Sequence, residues 1–254
     1  MDGALPTADH RTISVGAVHR GQALENHVRV MAEFGKKKVV AVALDWPGWE
    51  RNGLSEDDAM RRLEDYRPRY ASVAALAGLA AEFAEAGELE IVERVEGSST
   101  TDFFGISVMS ATDEHERMSD AECERKLAIL QACWFYFDGV PGRVSPELRK
   151  GPRGGGRDRD QIAAHTRGSE RELAKKVGLH EEHDQVHTPD GLIAHREAYL
   201  DAIRRYAARG ADARSWTLQF LIRRSAYHML DHAWEMEDKD MSPAALVAAS
   251  SGGS

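Results

Sequence analysis

Two histidines four residues apart, His228 and His232 in RRSAYHMLDHAWEMEDKD, form the pair whose type and spacing most directly suggest chemistry. On a helix, residues four apart lie one turn apart on the same face, and neutral imidazole is the commonest metal ligand. Leu218, Leu221, Ser225, His228, His232 and Glu235 recur at three- and four-residue steps, the stripe that would face the interior of a bundle. Upstream, Ile162, His165, Ser169 and Leu173 (or Glu172) form a second such stripe, and the small Ser169 and Ser225 leave room beside the imidazoles. Spacing alone leaves metal ligation and plain packing both open. An inward histidine is ordinarily a satisfied core residue, and an i, i+4 pair also arises by chance.

The other histidines carry weaker patterns. His180, His183 and His187 share tempting spacing but sit in the polar connection HEEHDQVHTPDG, so a solvated loop is expected there. His195 falls in a helical run and is read as packing, and His10, His19, His27 and His115 have no partner pattern. Cys123 and Cys133 are the only cysteines, ten residues apart in one helical segment. Ten residues of helix rise about 15 Å, too far for an internal disulfide. Two buried or half-buried free thiols follow. Without paired Cys-x-x-Cys spacings, any metal must rest on histidines and carboxylates.

The elements that would position these residues come in two styles. From Ser119 onward the pattern is helical. Ser119 with Glu122 opens a helix through Phe137 as a capping box, and the Gly-, Pro- and Arg-rich stretch 139–160 reads as a linker or ordered loop. Asp158 or Asp160 caps a second helix that Gly178 ends, Pro189 opens a third that Gly210 stops, and a fourth runs from about Asp212 or Ser215 to Asp238. This is the pattern of an all-α antiparallel four-helix bundle over 118–240, with 241–254 a flexible tail.

Residues 36–117 read instead as a small mixed α/β domain, after an N-terminal segment 1–35 in which Ala23–Phe34 suggests a short helix. Val39 begins a β-rich run that stops at Trp46-Pro47-Gly48, a sequence suited to a tight turn. Ser55 caps a helix with Asp57 and Asp58 in its first turn, Pro68 interrupts it, and the helical pattern resumes over Ser72–Ala86. Leu89–Val95 and Phe103–Val108 read as strands. The expected fold class is therefore α+β, an α/β domain followed by a helical bundle.

With these elements in place, residues 118–240 resemble the DinB superfamily, four-helix bundles with one histidine on the second helix and His-x-x-x-His on the last. His165, His228 and His232 occupy those places, while Ala233 stands where a further histidine usually follows the last ligand. The resemblance implies a three-histidine site for one divalent transition metal with an open coordination position. Zn²⁺ suits the donors, and Fe²⁺, Ni²⁺ and Mn²⁺ are compatible. For characterised relatives it implies S-transferase or isomerase chemistry with a low-molecular-weight thiol such as mycothiol or bacillithiol, the metal presenting a thiolate to an electrophile. Glu235 is then the candidate catalytic base, or else a solvated helix-end carboxylate, and Asp231 is a candidate outer partner for an imidazole N–H. Arg153, Arg157 and Arg159 could hold the thiol's polar groups or belong to a solvated linker. The acidic run EMED at a helix C-terminus opposes the helix dipole and hints at a functional reason. A metal-dependent hydrolase and a non-catalytic two-domain binding protein with a structural metal are the competing readings.

The N-terminal part is similar to the HicB-like fold in Val39–Trp49, a strand ending in Asp-x-Pro-Gly, and in the helix start Gly53-Leu54-Ser55-Glu56-Asp57-Asp58-Ala59. Trp49 stands where that family usually has cysteine. The resemblance implies a small βαβ-type module and no catalytic group.

Composition bounds the partners. Charged residues at 30% and apolar residues at 42% of 254 suit a globular chain. No apolar run approaches the roughly 20 residues of a membrane span, and the polar start MDGALPTADH lacks signal-peptide character, so a cytoplasmic protein is expected. Residues 1–117 hold 13 Lys and Arg against 21 Asp and Glu, and 118–254 hold 20 against 21. Neither half has the basic surplus that nucleic-acid binding needs. The partner expected is a small-molecule substrate, not nucleic acid or membrane, with room for a homo-oligomer.

Overall fold

The computed structural model describes residues 27–151, 155–180, 185–243 and 245. A four-stranded sheet comes first: β1 (Val28–Phe34), β2 (Val39–Ala43), β3 (Glu50–Gly53) and β4 (Leu89–Glu96), in the order β3-β2-β1-β4. β1 pairs antiparallel with β2, β2 antiparallel with β3, and β1 parallel with β4. Every residue of β2 is buried, because both faces of the strand are covered. Val39, Ala41 and Ala43 join the main core, while Val40 and Val42 join Met31, Leu44 and Ala111 in a smaller cluster on the opposite face. A bulge opposite Val30/Met31 shifts the register of β4. Leu89 and Ile91 therefore face the main core, whereas Val95 faces the smaller one.

Two expectations fail here. The helix expected over Ala23–Phe34 is a strand from Val28 on, and residues 23–26 lie outside the described residues. A central strand covered on both faces reads as a continuous apolar run, which periodicity alone cannot separate from a helix. The strand expected over Phe103–Val108 is instead the end of a short helix and an extended loop. That helix, Ser99–Phe104, is opened by reciprocal bonds between Ser98 and the turn after it, and Gly105 closes it at φ +69°.

Between β3 and β4 run α1 (Glu56–Asp65), α2 (Arg67–Leu76) and α3 (Ala80–Ala84); the Ser99–Phe104 helix is α4. The Ser55 hydroxyl accepts from Asp58 N (3.1 Å) and the Asp58 carboxylate from Leu54 N (3.0 Å), closing the expected cap. Gly53 is needed at this junction, since a Cβ there would lie 2.4 Å from Ala59 N. Pro68 sits in the first turn of α2, where its missing N–H costs nothing.

The chain then turns helical. α5 (Asp120–Gly139), α6 (Arg159–Ala174), α7 (Pro189–Arg209) and α8 (Leu218–Asp238) pack on one another, with α8 against α5, α6 and α7. The architecture is thus α+β, a sheet followed by helices, as expected. The Gly-rich connection is an ordered loop where it is described. It is stapled to the end of α8 by Arg149 N to Lys239 O (2.8 Å), Ser145 N to Asp240 Oδ1 (2.8 Å) and Met241 N to Ser145 Oγ (2.9 Å). No helix among the described residues is long and apolar enough to cross a membrane.

The line expected between two domains near residue 118 is crossed by a continuous core. Trp49, Tyr70 and Phe83 belong to the same buried cluster as Leu127, Phe137 and Trp234. At its centre, Trp46-Pro47-Gly48-Trp49 makes a tight turn, with Trp49 N bonded to Trp46 O (3.1 Å) and Gly48 at φ +95°. A Cβ on Gly48 would meet Leu230 Cδ1 at 2.9 Å and Ala226 at 3.1 Å, so the turn lies directly on α8.

Candidate metal centre

α8 begins three residues after Ser215, the later of the two expected starts. Ala213 pairs with Trp216 in an isolated bridge, Arg214 adopts φ +60°, and Thr217 Oγ1 caps the helix by accepting from Phe220 N (3.1 Å). One face of α8 carries Arg223, Asp231 and Trp234 toward the sheet and its turn. The next face carries Ser225, His228 and His232 toward α7 and α6, where Ser225 meets the Tyr199 hydroxyl at 2.9 Å. On α6 the buried residues are Ile162, Ala163, Thr166, Glu170 and Ala174, so His165 and Ser169 flank the buried stripe instead of filling it. His165 therefore stands at the margin of the core, half-buried, where an inward residue was expected.

The three histidines converge. One nitrogen from each of His165, His228 and His232 lies within 4.8 Å of the other two, and the group could hold a metal ion. Ring centroids are 5.5 Å apart for His165–His228, 5.1 Å for His165–His232 and 4.7 Å for His228–His232, with interplanar angles from 61° to 87°. Each pair of rings is set edge to face, so no two of the three stack.

Burial pushes His228 down to about 2, helped by the neighbouring His232 and by the charge of Arg224. His165 is also lowered, by burial and then by Arg157. Both are neutral at physiological pH, which is the form that ligates. The Nδ1 of His228 is buried without a hydrogen-bond partner. A buried imidazole nitrogen with no protein partner fits a site meant for something not supplied by the chain. His232 Nδ1 lies 2.7 Å from Glu235 Oε2, and Lys239 Nζ lies 2.6 Å from Glu235 Oε1. Those two partners hold the Glu235 carboxyl down to about 2, His232 first. An Nδ1–H donated to a carboxylate leaves Nε2 of His232 as its lone-pair nitrogen.

Other expected residues fall elsewhere. Asp231 does not meet an imidazole; it takes Arg51 Nη1 at 3.3 Å, on the sheet side of α8. Arg159 bonds Asp160 and the carbonyls of Pro141 and Val144, so it braces the loop. Arg157 is exposed and bears electrostatically on the triad, while Arg153 lies outside the described residues. His180, His187 and His115 are exposed, and His10, His19 and His183 lie outside the described residues. Cys123 and Cys133 are buried free thiols. His195 is buried beside Tyr199, with Nε2 3.9 Å from Glu170 Oε1.

The acidic end of α8 is neutralised from outside the helix. Glu237 takes Tyr136, Arg69 and Arg143, and Asp238 takes Tyr66 and Arg69. Sequence reasoning missed this, together with a buried network behind the triad. There Arg223 holds Glu114 through Nε and Nη2 at 2.7 and 2.9 Å and reaches Ser107 and Met109, while Glu33 gathers Thr101, Ser107, Val108 and Met109. Partners 109 residues apart leave no local trace in a sequence. Compared with protein-family models, with curated proteins and with solved structures, the chain matches none.

Proposed function

We propose that the three imidazoles hold one divalent transition metal, Zn²⁺ by donor type, and that the protein is a DinB-like enzyme transferring a low-molecular-weight thiol to an electrophile. The observation that carries this reading is the convergence of one nitrogen from each of three histidines, on two helices, within 4.8 Å of one another. When bound, the ion supplies Lewis acidity that lowers a thiol's pKa and favours the thiolate at neutral pH. Burial keeps His228 neutral. Glu235 fixes the tautomer and ring angle of His232, and Lys239 anchors Glu235 in turn. A carboxylate already engaged by two donors is a weak base, so Glu235 serves this reading by position, and the thiol proton leaves to solvent. His165, at the margin of the core, leaves one side of the group open to a ligand. In the same reading the N-terminal module is HicB-like and acts as the platform under α8.

Metal analysis of the purified protein should find near one transition metal per chain, lost on His228→Ala. Titration calorimetry of the loaded protein with mycothiol, bacillithiol and glutathione should show binding of at least one, abolished by His232→Ala. Metal content untouched by all three single histidine substitutions would refute the site. A loaded protein that binds none of the thiols would remove the transferase.

A further inference from the structure

Among the described residues, one part-buried cation beside the triad forms no ion pair. Arg224 lies on α8 one turn before His228, a spacing that sets side chains on the same helix face about 5–6 Å apart at Cβ. Its guanidinium stands over the Tyr227 ring at 5.1 Å, and its Nη1 is buried with no hydrogen-bond partner. Neighbouring arginines are engaged: Arg51 with Asp231, Arg69 with Asp238, Arg159 with Asp160 and Arg223 with Glu114. The charge of Arg224 reaches His228 and also the buried Glu50, but Glu50 is committed to Ser107 N (2.7 Å) and lies 3.5 Å from Arg223.

A partly buried guanidinium nitrogen without an acceptor is costly unless something else supplies one. The triad adds to the imbalance, because three neutral imidazoles cancel none of a divalent ion's charge. The nearby carboxylate, Glu235, already answers Lys239. Arg157 adds a second positive charge from the α6 side. Two arginines thus bear on the triad, and among the described residues the one carboxylate bonded to it, Glu235, is already shared with Lys239.

We infer that Arg224 is a binding residue for an anionic group on the molecule that occupies the open side of the triad, so that the thiol co-substrate carries a carboxylate. The inference rests on the metal and thiol reading above. A fixed guanidinium suits a planar carboxylate, to which it can donate two parallel N–H bonds.

The test uses full-length protein loaded with Co²⁺, whose visible absorption reports ligands at the ion. It is titrated with 3-mercaptopropionate and with its neutral isostere 3-mercaptopropionamide. The acid should bind about tenfold more tightly, the effect of one charge-assisted contact. Arg224→Met should bring the two within twofold while cobalt affinity holds or rises, since a like charge is removed. Arg224→Lys should keep part of the preference, and wild-type circular dichroism in both variants guards against misfolding. Equal binding of the two thiols by wild type, or a preference that survives in Arg224→Met, overturns the inference and leaves thiol activation standing. Spectra unmoved by either thiol overturn both together, whereas failure to take up cobalt refutes the metal centre itself.

Discussion

Replacing Glu235 by Gln separates a positioning role from a catalytic one, and its magnitude can be worked from the structure. The carboxyl is held from an ordinary 4.5 down to about 2, which is about 3 kcal/mol if credited in full. Two donors share it, His232 at 2.7 Å and Lys239 at 2.6 Å, and the side chain is 27% exposed. Solvent and Lys239 together leave roughly half, on the order of 1–2 kcal/mol, for the bond to His232. An amide oxygen still accepts from Nδ1, but without charge assistance. The expected loss of metal affinity is therefore about tenfold, at the lower end of the 10–100-fold effect of outer partners of ligating histidines. Competition with a chromophoric chelator measures it directly. Zn²⁺ affinity in Glu235→Gln within twofold of wild type would refute the argument that this carboxylate orients His232. Unchanged affinity with a large loss of turnover would restore Glu235 as a proton carrier.

Three further outcomes follow from the packing. Arg223→Met strands the buried Glu114 carboxylate and should cost about 3–5 kcal/mol in denaturant unfolding; a cost below 1 kcal/mol would show the network to be dispensable. Glu50 is raised by burial from 4.5 to about 7, so its folded form favours the proton. The metal-free protein should lose stability from this group as pH rises from 4.5 to 7, by about 3 kcal/mol at most, and the difference between wild type and Glu50→Gln isolates it; an identical pH slope in both proteins would contradict the assignment. Because one core joins the sheet to the helices, tryptophan fluorescence and far-ultraviolet circular dichroism should report a single coincident unfolding transition. Two resolved transitions would support separately folding halves.

What the sequence made legible was local. Ser55, Ser119, Pro189 and Gly210 sit where the helix ends require them, because caps act within a turn of their own residues. The histidine pair on α8 was legible for the same reason. The rotation of α6 was not: a stripe of Ile162, His165 and Ser169 fits helical spacing as well as Ile162, Thr166 and Glu170 do. The burial of Glu170 is decided by Arg196 on α7, at 2.9 Å. β1 was misread because Arg29 is its one exposed residue, which removes the alternation that marks a strand. Arg224 drew no attention because an arginine on a helix ordinarily faces water, and its lack of an acceptor is visible only in three dimensions.

The placement of two of the triad's histidines on α8 gives the N-terminal module a part in the candidate site although it supplies none of the three. A ligand set must be held to within fractions of an ångström by surrounding packing, and α8 is pinned on the side opposite α6 by groups from residues 46–114. The backbone of Gly48 abuts Ala226 and Leu230, which bracket His228 in sequence. Arg51 stacks on Trp234 at 4.3 Å while pairing with Asp231, the residue before His232. Glu114 and the loop carbonyl of Met109 hold Arg223, five residues before His228. Each contact lies within about one or two helical turns of a ligand, so rotation or sliding of α8 would break all of them at once. The sheet and its Trp-Pro-Gly turn thus act as a jig for the last helix, and changes in the N-terminal half reach the histidine triad through the register of α8.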